Sequence, residues 1–440
     1  MDLKYISRGV LLLLVLLLPA PAAFAQLGQG ASDNIFLGGF VSQGYLNTSR
    51  NNYLVPKSVK GTAAFTEAAV ILSAQPTDRL RVGIQLLGRT FGVSGRDQVV
   101  VDWAYGDYRW KDQLGVRAGK VKLPYGLYNE GRDADMLRTS IFLPQSIYNE
   151  KQRDFILAYE GLGFYGNLEL GGVGDLDYHV YGGTLTVPDA TTGFWNDIYT
   201  QAAQEITGEV GEIVDAEMEN PTGTAEAQFS SLTDLQVAFP WIFGGAVIWS
   251  PPVEGLRLGT TAMQGRFNVQ TVVNYDVVVP EGPDINNPGY RPFTINVDVT
   301  EKLHYITALS AEYLRGDWTL AAEWEQSKIE TSKDKGWYVL AGRRFSDLFS
   351  LGAYYSRLDT GYGDEVSPGL PAAALPDYYR WQKDLTVSAR FDLNDFWLFK
   401  LEYHFIDGVA LAEPISLEEH LADPLDRRWG MFAARTTFYF

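Results

Sequence analysis

The 440-residue sequence contains no cysteine and only 4 histidines. Without cysteine, disulfides, thiol catalysis, thiolate metal sites and an N-terminal lipid anchor are excluded. His179, His304, His404 and His420 show no HExxH spacing, and neither a GxSxG elbow nor a lysine-bearing phosphate loop occurs. No metal, cofactor or catalytic residue is therefore expected. Basic residues are few: 36 Lys and Arg stand against 54 Asp and Glu, a formal charge of −18. That balance argues against nucleic acid as a partner. No apolar run approaches the roughly 20 residues of a transmembrane helix.

The N-terminus does carry a short apolar segment. Lys4 and Arg8 precede Val10 to Leu18, and Ala23-Phe24-Ala25 fits a small-x-small cleavage site. Residues 1–25 read as a secretory signal peptide, with Gln26 as the mature start and 26–440 as one barrel domain. Removing Asp2, Lys4 and Arg8 takes the formal charge from −18 to −19.

Beyond it, alternating segments of strand length recur. In Phe396 to Phe405, Trp397, Phe399, Leu401, Tyr403 and Phe405 oppose Lys400, Glu402 and His404. In Trp318 to Glu325, Trp318, Leu320 and Trp324 oppose Thr319, Glu323 and Glu325. A period of two sends successive side chains to opposite faces, here one apolar and one charged. A soluble sandwich and a membrane barrel share that pattern. Aromatics at strand ends (Trp103, Tyr105, Trp241, Trp249, Trp318, Trp397), strand length and the signal peptide favour the barrel.

Seven short turns, near residues 76–78, 111–112, 171–175, 251–255, 315–317, 346–347 and 394–395, alternate with eight longer connections. The latter are 48–60, 92–97, 122–153, 188–236, 270–300, 330–335, 359–381 and 408–427. Together they join sixteen strands into an all-β, transmembrane, antiparallel up-and-down barrel, closed because an open edge in lipid leaves backbone groups unpaired. A change of face near Gly161-Leu162-Gly163 reads as a β-bulge. Residues 35–47 and 336–345 fit either register, and 270–300 reads as a hairpin reaching past the membrane. Residues 198–217 read as a short amphipathic helix weakened by Gly208 and Gly211.

The final residues place Phe432, Ala434, Thr436, Phe438 and Phe440 on one face. This resembles the C-terminal targeting strand of bacterial outer-membrane barrels. Arg117–Arg132 (RAGKVKLPYGLYNEGR) and Ser140–Tyr148 (SIFLPQSIY) resemble the third-loop entry of the phosphate-selective porin O/P-like family. The resemblance implies a 16-stranded, often homotrimeric outer-membrane porin whose third loop folds inward. The arginine and lysine clusters of its phosphate-specific members have no position-by-position match here, so phosphate is not implied.

The expected function is passive diffusion of small hydrophilic solutes, with a weak anion or carboxylate preference. The third loop, 122–153, carries five basic residues and four acids, a net of +1. Arg81, Arg89, Arg117 and Arg435 have lumen parity. With Lys120, Lys122, Arg132 and Arg138 they are the expected basic side of a constriction, facing Glu130 and Asp133. The same residues could instead be solvated or hold the loop to the wall. Tyr125, Tyr128, Phe142 and Tyr148 could form a sliding surface for sugars or aromatic solutes, or anchor the loop. The 188–236 loop has ten acids and no Lys or Arg. It reads as a solvated extracellular surface or as a contact to lipopolysaccharide through divalent cations. The alternatives are a substrate-specific channel, an outer-membrane enzyme using His404 and Glu402, or an adhesin.

Overall fold

The computed structural model describes residues 34–91, 94–153, 156–187, 194–217, 225–279, 289–330, 332–361, 376–412 and 423–440. The expected signal peptide lies outside them. Sixteen strands follow in order: β1 (Ile35–Thr48), β2 (Phe65–Thr77), β3 (Leu80–Phe91), β4 (Ser94–Lys111), β5 (Leu114–Lys122), β6 (Ala158–Glu169), β7 (Asp175–Thr186), β8 (Glu226–Ser250), β9 (Leu256–Val279), β10 (Gly289–Arg315), β11 (Trp318–Ile329), β12 (Ser332–Arg344), β13 (Phe349–Asp359), β14 (Trp381–Asn394), β15 (Trp397–Gly408) and β16 (Arg428–Tyr439). Each pairs antiparallel with its neighbours. β16 returns to β1, with Phe40 opposite Tyr439 and Thr48 opposite Met431, so the barrel is closed.

The distribution of side chains separates this barrel from a soluble sandwich. Tyr403 and Phe405 are exposed on the outside, whereas Lys400, Glu402 and His404 beside them are buried within. On β11, Trp318, Leu320 and Trp324 are exposed and Glu323 is buried. Apolar outside and charged inside is the arrangement of a membrane-spanning barrel. The two ambiguous registers resolve in the same sense: Val41, Tyr45 and Val339 face out, while Ser42, Leu46 and Tyr338 face in.

Three expectations are revised. β6 pairs with β5 and β7 without a register shift, so there is no bulge at Gly161–Gly163. Gly163 instead makes room for two inward side chains, since a Cβ there would strike the Tyr159 hydroxyl and the His179 ring. Trp103 and Tyr105 do not belong to an outer aromatic belt. A register shift opposite Gln85 and Leu86 turns this part of β4, and the Trp103 indole donates to Gln85 within the lumen at 2.9 Å. In the fourth long connection the described residues form two helices, α1 (Phe194–Glu205) and α2 (Thr207–Glu217), and β8 starts earlier than expected, at Glu226.

β8, β9 and β10 hold 25, 24 and 27 residues, where roughly 9–11 suffice to cross a membrane. They rise as a three-stranded wall beyond the rest of the barrel. Register shifts in β8, one of them between Ala238 and Trp241, accommodate Pro240, which has no N–H for the ladder.

Candidate functional site

The connection between β5 and β6 enters the lumen. Its neck is closed by the Leu123 N–H donating to the Leu157 carbonyl at 2.9 Å. The Asn129 amide then donates to Leu123 and Ile156 carbonyls at 3.0 and 2.7 Å. From there the loop bonds to inward side chains on opposite walls, which is possible only from inside.

Toward β10 and β11 the attachments use tyrosines and wall glutamates. The Tyr128 hydroxyl donates to Glu312 at 3.0 Å, and the Tyr125 hydroxyl to Glu325. Glu323 accepts four donors: Tyr148 and Tyr338 hydroxyls at 2.5 and 2.6 Å, the Ser310 hydroxyl at 2.6 Å and the Leu127 N–H at 2.8 Å. These tyrosines are therefore anchors. Toward β15 the pattern inverts, and wall groups clasp the loop backbone. Glu402 accepts the Ile141 and Phe142 N–H groups at 2.7 and 3.1 Å. The Lys400 ammonium donates to the Asp135 carboxylate at 2.8 Å and to the Ser140 carbonyl at 3.0 Å.

Toward β2–β4 and β16 the attachments are ion pairs. Lys122 meets Asp133 at 2.5 Å and Asp102 at 3.3 Å, and Arg153 bridges the same two carboxylates at 2.6 and 2.8 Å. Arg89 joins Glu150 at 2.5 Å and Glu67 at 3.2 Å; Arg132 joins Glu150 at 3.0 Å. Arg435 pairs with Glu67 and lies 3.8 Å from Asp135.

Lys122, Arg132, Asp133, Arg89 and Arg435 thus come together in one buried network, with Arg132 only 1 % exposed. Arg117 and Glu130 stand apart from it, 3.5 Å from each other and 20 % and 55 % exposed; Arg117 also meets Asp107 at 3.3 Å. Arg81 is exposed and reaches the Tyr105 hydroxyl at 3.3 Å. Arg138 donates to the Arg132 and Ile141 carbonyls and keeps 17 % exposure. Lys120 is not in the lumen. It pairs with Glu160, which shares the outward parity of the exposed Leu162 and Phe164, and its ammonium donates to the Val101 carbonyl at 2.7 Å.

Sequence reasoning passed over Asp102 and Glu312 as loop partners, and Glu67 as the partner of the wall arginines Arg89 and Arg435. Their lumen parity was the available signal, but nothing local names a partner far along the chain. Two cavities lie beside the loop. One, of about 990 Å³, is bordered by Arg138, Arg390, Glu312 and Asp347 on the short-turn side. The other, of about 350 Å³, is bordered by Trp103, Arg117, Glu130 and Met136.

Three buried carboxyls of the loop, Asp133, Asp135 and Glu150, are held below their usual range. Burial opposes the charge on Glu150, but Arg132, Arg89 and Arg153 overcome it and hold its carboxyl at about 2, against an ordinary 4.5. Asp133, beside Arg153 and Lys122, and Asp135, beside Lys400 and Arg435, are likewise depressed despite burial. A depressed carboxyl stabilises the folded state above its ordinary pKa and loses that contribution as pH falls through the folded value. The loop's attachment through Glu150, Asp133 and Asp135 is therefore expected to hold from neutrality to about pH 5. It should loosen only as pH falls from 4.5 toward about 2, which hydrogen exchange of the loop amides across a pH series measures.

His404 is sealed between Asp384 at 2.8 Å and Glu402 at 2.9 Å, with Phe142 against its ring. Glu402 is already bound to the loop backbone. Both side chains are buried, His404 at 0 % and Glu402 at 2 % exposure, the surroundings of a structural cluster. Among the described residues no group of His, Asp and Glu is placed to hold a metal ion.

No protein-family model and no curated protein matches the chain. Solved structures do match its fold. A loop L8 deletion mutant of OmpT, an outer membrane protein of Vibrio cholerae, aligns with a TM-score of 0.50 at 12 % identity, covering 92 % of this chain and 99 % of that one. Salmonella typhi OmpF in complex with daunomycin gives 0.50 at 12 % identity over 92 % and 98 %. The anion-selective porin from Comamonas acidovorans gives 0.50 at 11 % over 92 % and 99 %. At these identities the likeness is one of fold.

Proposed function

We propose that the chain is a porin of the bacterial outer membrane, a passive diffusion channel for small hydrophilic solutes narrowed by its third loop. The observation that carries this reading is a closed sixteen-stranded barrel, apolar outside, with a loop fastened across its lumen by the loop's own charges. A secreted precursor cleaved after Ala25, a homotrimer, and contact of the acidic fourth loop with lipopolysaccharide belong to the same reading. The third-loop motif supports a place near the phosphate-selective porin O/P-like proteins.

A weak anion or carboxylate preference rests on Arg117 and Arg138, with Arg81 beside the short β2–β3 turn. Arg117 and Arg138 also have carboxylates beside them, but their side chains keep 20 % and 17 % exposure, whereas Arg89, Arg132 and Arg435 are buried in their ion pairs and contribute little field to a passing ion. The Comamonas porin, anion-selective by its description, shares the fold. Reversal potentials in a salt gradient test the assignment. Arg117→Ala and Arg138→Ala should each move the potential toward cation preference with the current preserved; no shift in either would remove both residues from the solute path. A second reading, a channel specific for aromatic solutes, is favoured by the apolar cluster on the inner wall of β7–β10, where Phe239, Phe267 and Trp195 meet.

A further inference from the structure

Above the third loop, the inner wall of β7–β10 presents Leu185, Val237, Phe239, Phe267, Val269 and Leu303, each at most 2 % exposed. The interior of a wetted barrel is normally polar, and an apolar constriction sheds water and closes. Here the apolar wall shares one cluster with third-loop side chains such as Leu143 and Ile147, and α1 adds Trp195 to it. Trp195 is buried against Phe267 with ring centroids 5.5 Å apart, and Phe267 stands 5.4 Å from Phe239. The Tyr275 hydroxyl donates to the Ala203 carbonyl at 2.8 Å. α2 follows, packing Val210 and Val214 onto Val273 and Val277 where the wall rises beyond the membrane.

The two lumen segments are held by different forces. The third loop is fixed by buried ion pairs and by tyrosine hydroxyls on wall glutamates, whose separation leaves charges uncompensated. α1 contains no Lys or Arg; it meets the wall by a hydrogen bond at the Ala203 carbonyl and by the ring of Trp195 against Phe267. Such a contact can be exchanged for another ring without stranding a charge. Trp195 already shows what the wall accepts: a flat aromatic body the size of an indole, met by two phenylalanine rings.

We propose that this apolar stretch is a subsite for the aromatic ring of a passing solute and that α1 is its lid, Trp195 holding the ring's place until a solute displaces it. The proposal rests on the channel reading and deepens its second form. A solute with one aromatic ring and a polar remainder would exchange Trp195 for its own ring at the top of the lumen. Its polar part would then meet the hydrogen-bonding groups of the loop and the two cavities below.

Phenyl β-glucoside and methyl β-glucoside test this, because they share a sugar and differ in the ring. In proteoliposome swelling, the wild type should pass the phenyl compound at least as fast as the smaller methyl one. Trp195→Ala should speed methyl glucoside severalfold. Passage in plain order of size, or swelling unchanged by Trp195→Ala, would overturn the proposal. A second measurement does not need permeation. The emission of Trp195, taken as wild type minus Trp195→Phe in detergent, should move to the red with phenyl glucoside and stay fixed with methyl glucoside. No shift overturns the lid. A shift in a protein that passes no solute would refute the channel and leave the subsite standing.

Discussion

Glu323→Ala is expected to lower the urea midpoint of barrel unfolding and to leave the third loop loose on its β10–β11 side. This carboxylate accepts two tyrosine hydroxyls, a serine hydroxyl and a backbone N–H, all at 2.5–2.8 Å. Each donor left unsatisfied in a buried place costs about 1–3 kcal/mol, less whatever water entering the cavity returns. A net loss of about 3–5 kcal/mol follows, the range seen when one partner of a buried charged group is removed. Glutamine at the same position is a poor substitute, since its NH₂ would face donors where the carboxylate offers only acceptors. Glu325→Ala is the internal control: Glu325 receives the Tyr125 hydroxyl, so its effect should be clearly smaller. Equal midpoints for the two variants would show that the tyrosine–glutamate cluster does not hold the loop.

Arg132→Ala should free the other side. Arg132 donates to Glu150 at 3.0 Å and to the Tyr148 carbonyl at 3.2 Å, and Glu150 in turn holds Arg89 of β3. Removing the guanidinium leaves Glu150 with less positive charge around it and uncouples the loop tip from Tyr148. The expected loss is again about 3–5 kcal/mol, now confined to the loop. Single-channel conductance should rise and become noisy while the barrel remains folded. Arg132→Lys should recover little, because one ammonium cannot reproduce a planar fork that reaches two acceptors at once. Unchanged conductance in Arg132→Ala would mean that the loop's position does not depend on this network.

The contrast between these positions explains what could be read from the sequence. The seven short turns and the strand pattern were legible because both are local: a turn is specified by its own few residues, and alternation is visible within one strand. Phe432 and Phe438 face outward as their spacing predicts. The partners inside the lumen are not local. Glu402 binds Ile141, and Glu67 binds Arg435, across hundreds of residues. Parity says that Arg89 or Arg435 points inward, yet cannot say whether it meets water or a carboxylate, and the structure pairs both with carboxylates. Lys120 was expected with Lys122 on the basic side of the constriction, yet only Lys122 enters the lumen. The chain leaves the strand at Lys122, and there the alternation stops applying. The two helices were half visible: residues 198–217 carried a helical pattern, but nothing along the chain showed that Trp195 would find Phe267 inside the barrel.

The central claim is that a lumen divided by a fastened loop still conducts. Single-channel current of the purified wild-type protein in a planar bilayer tests it most directly. The account predicts discrete, stable openings at neutral pH. A protein that inserts into the bilayer as a folded barrel and carries no current would contradict it.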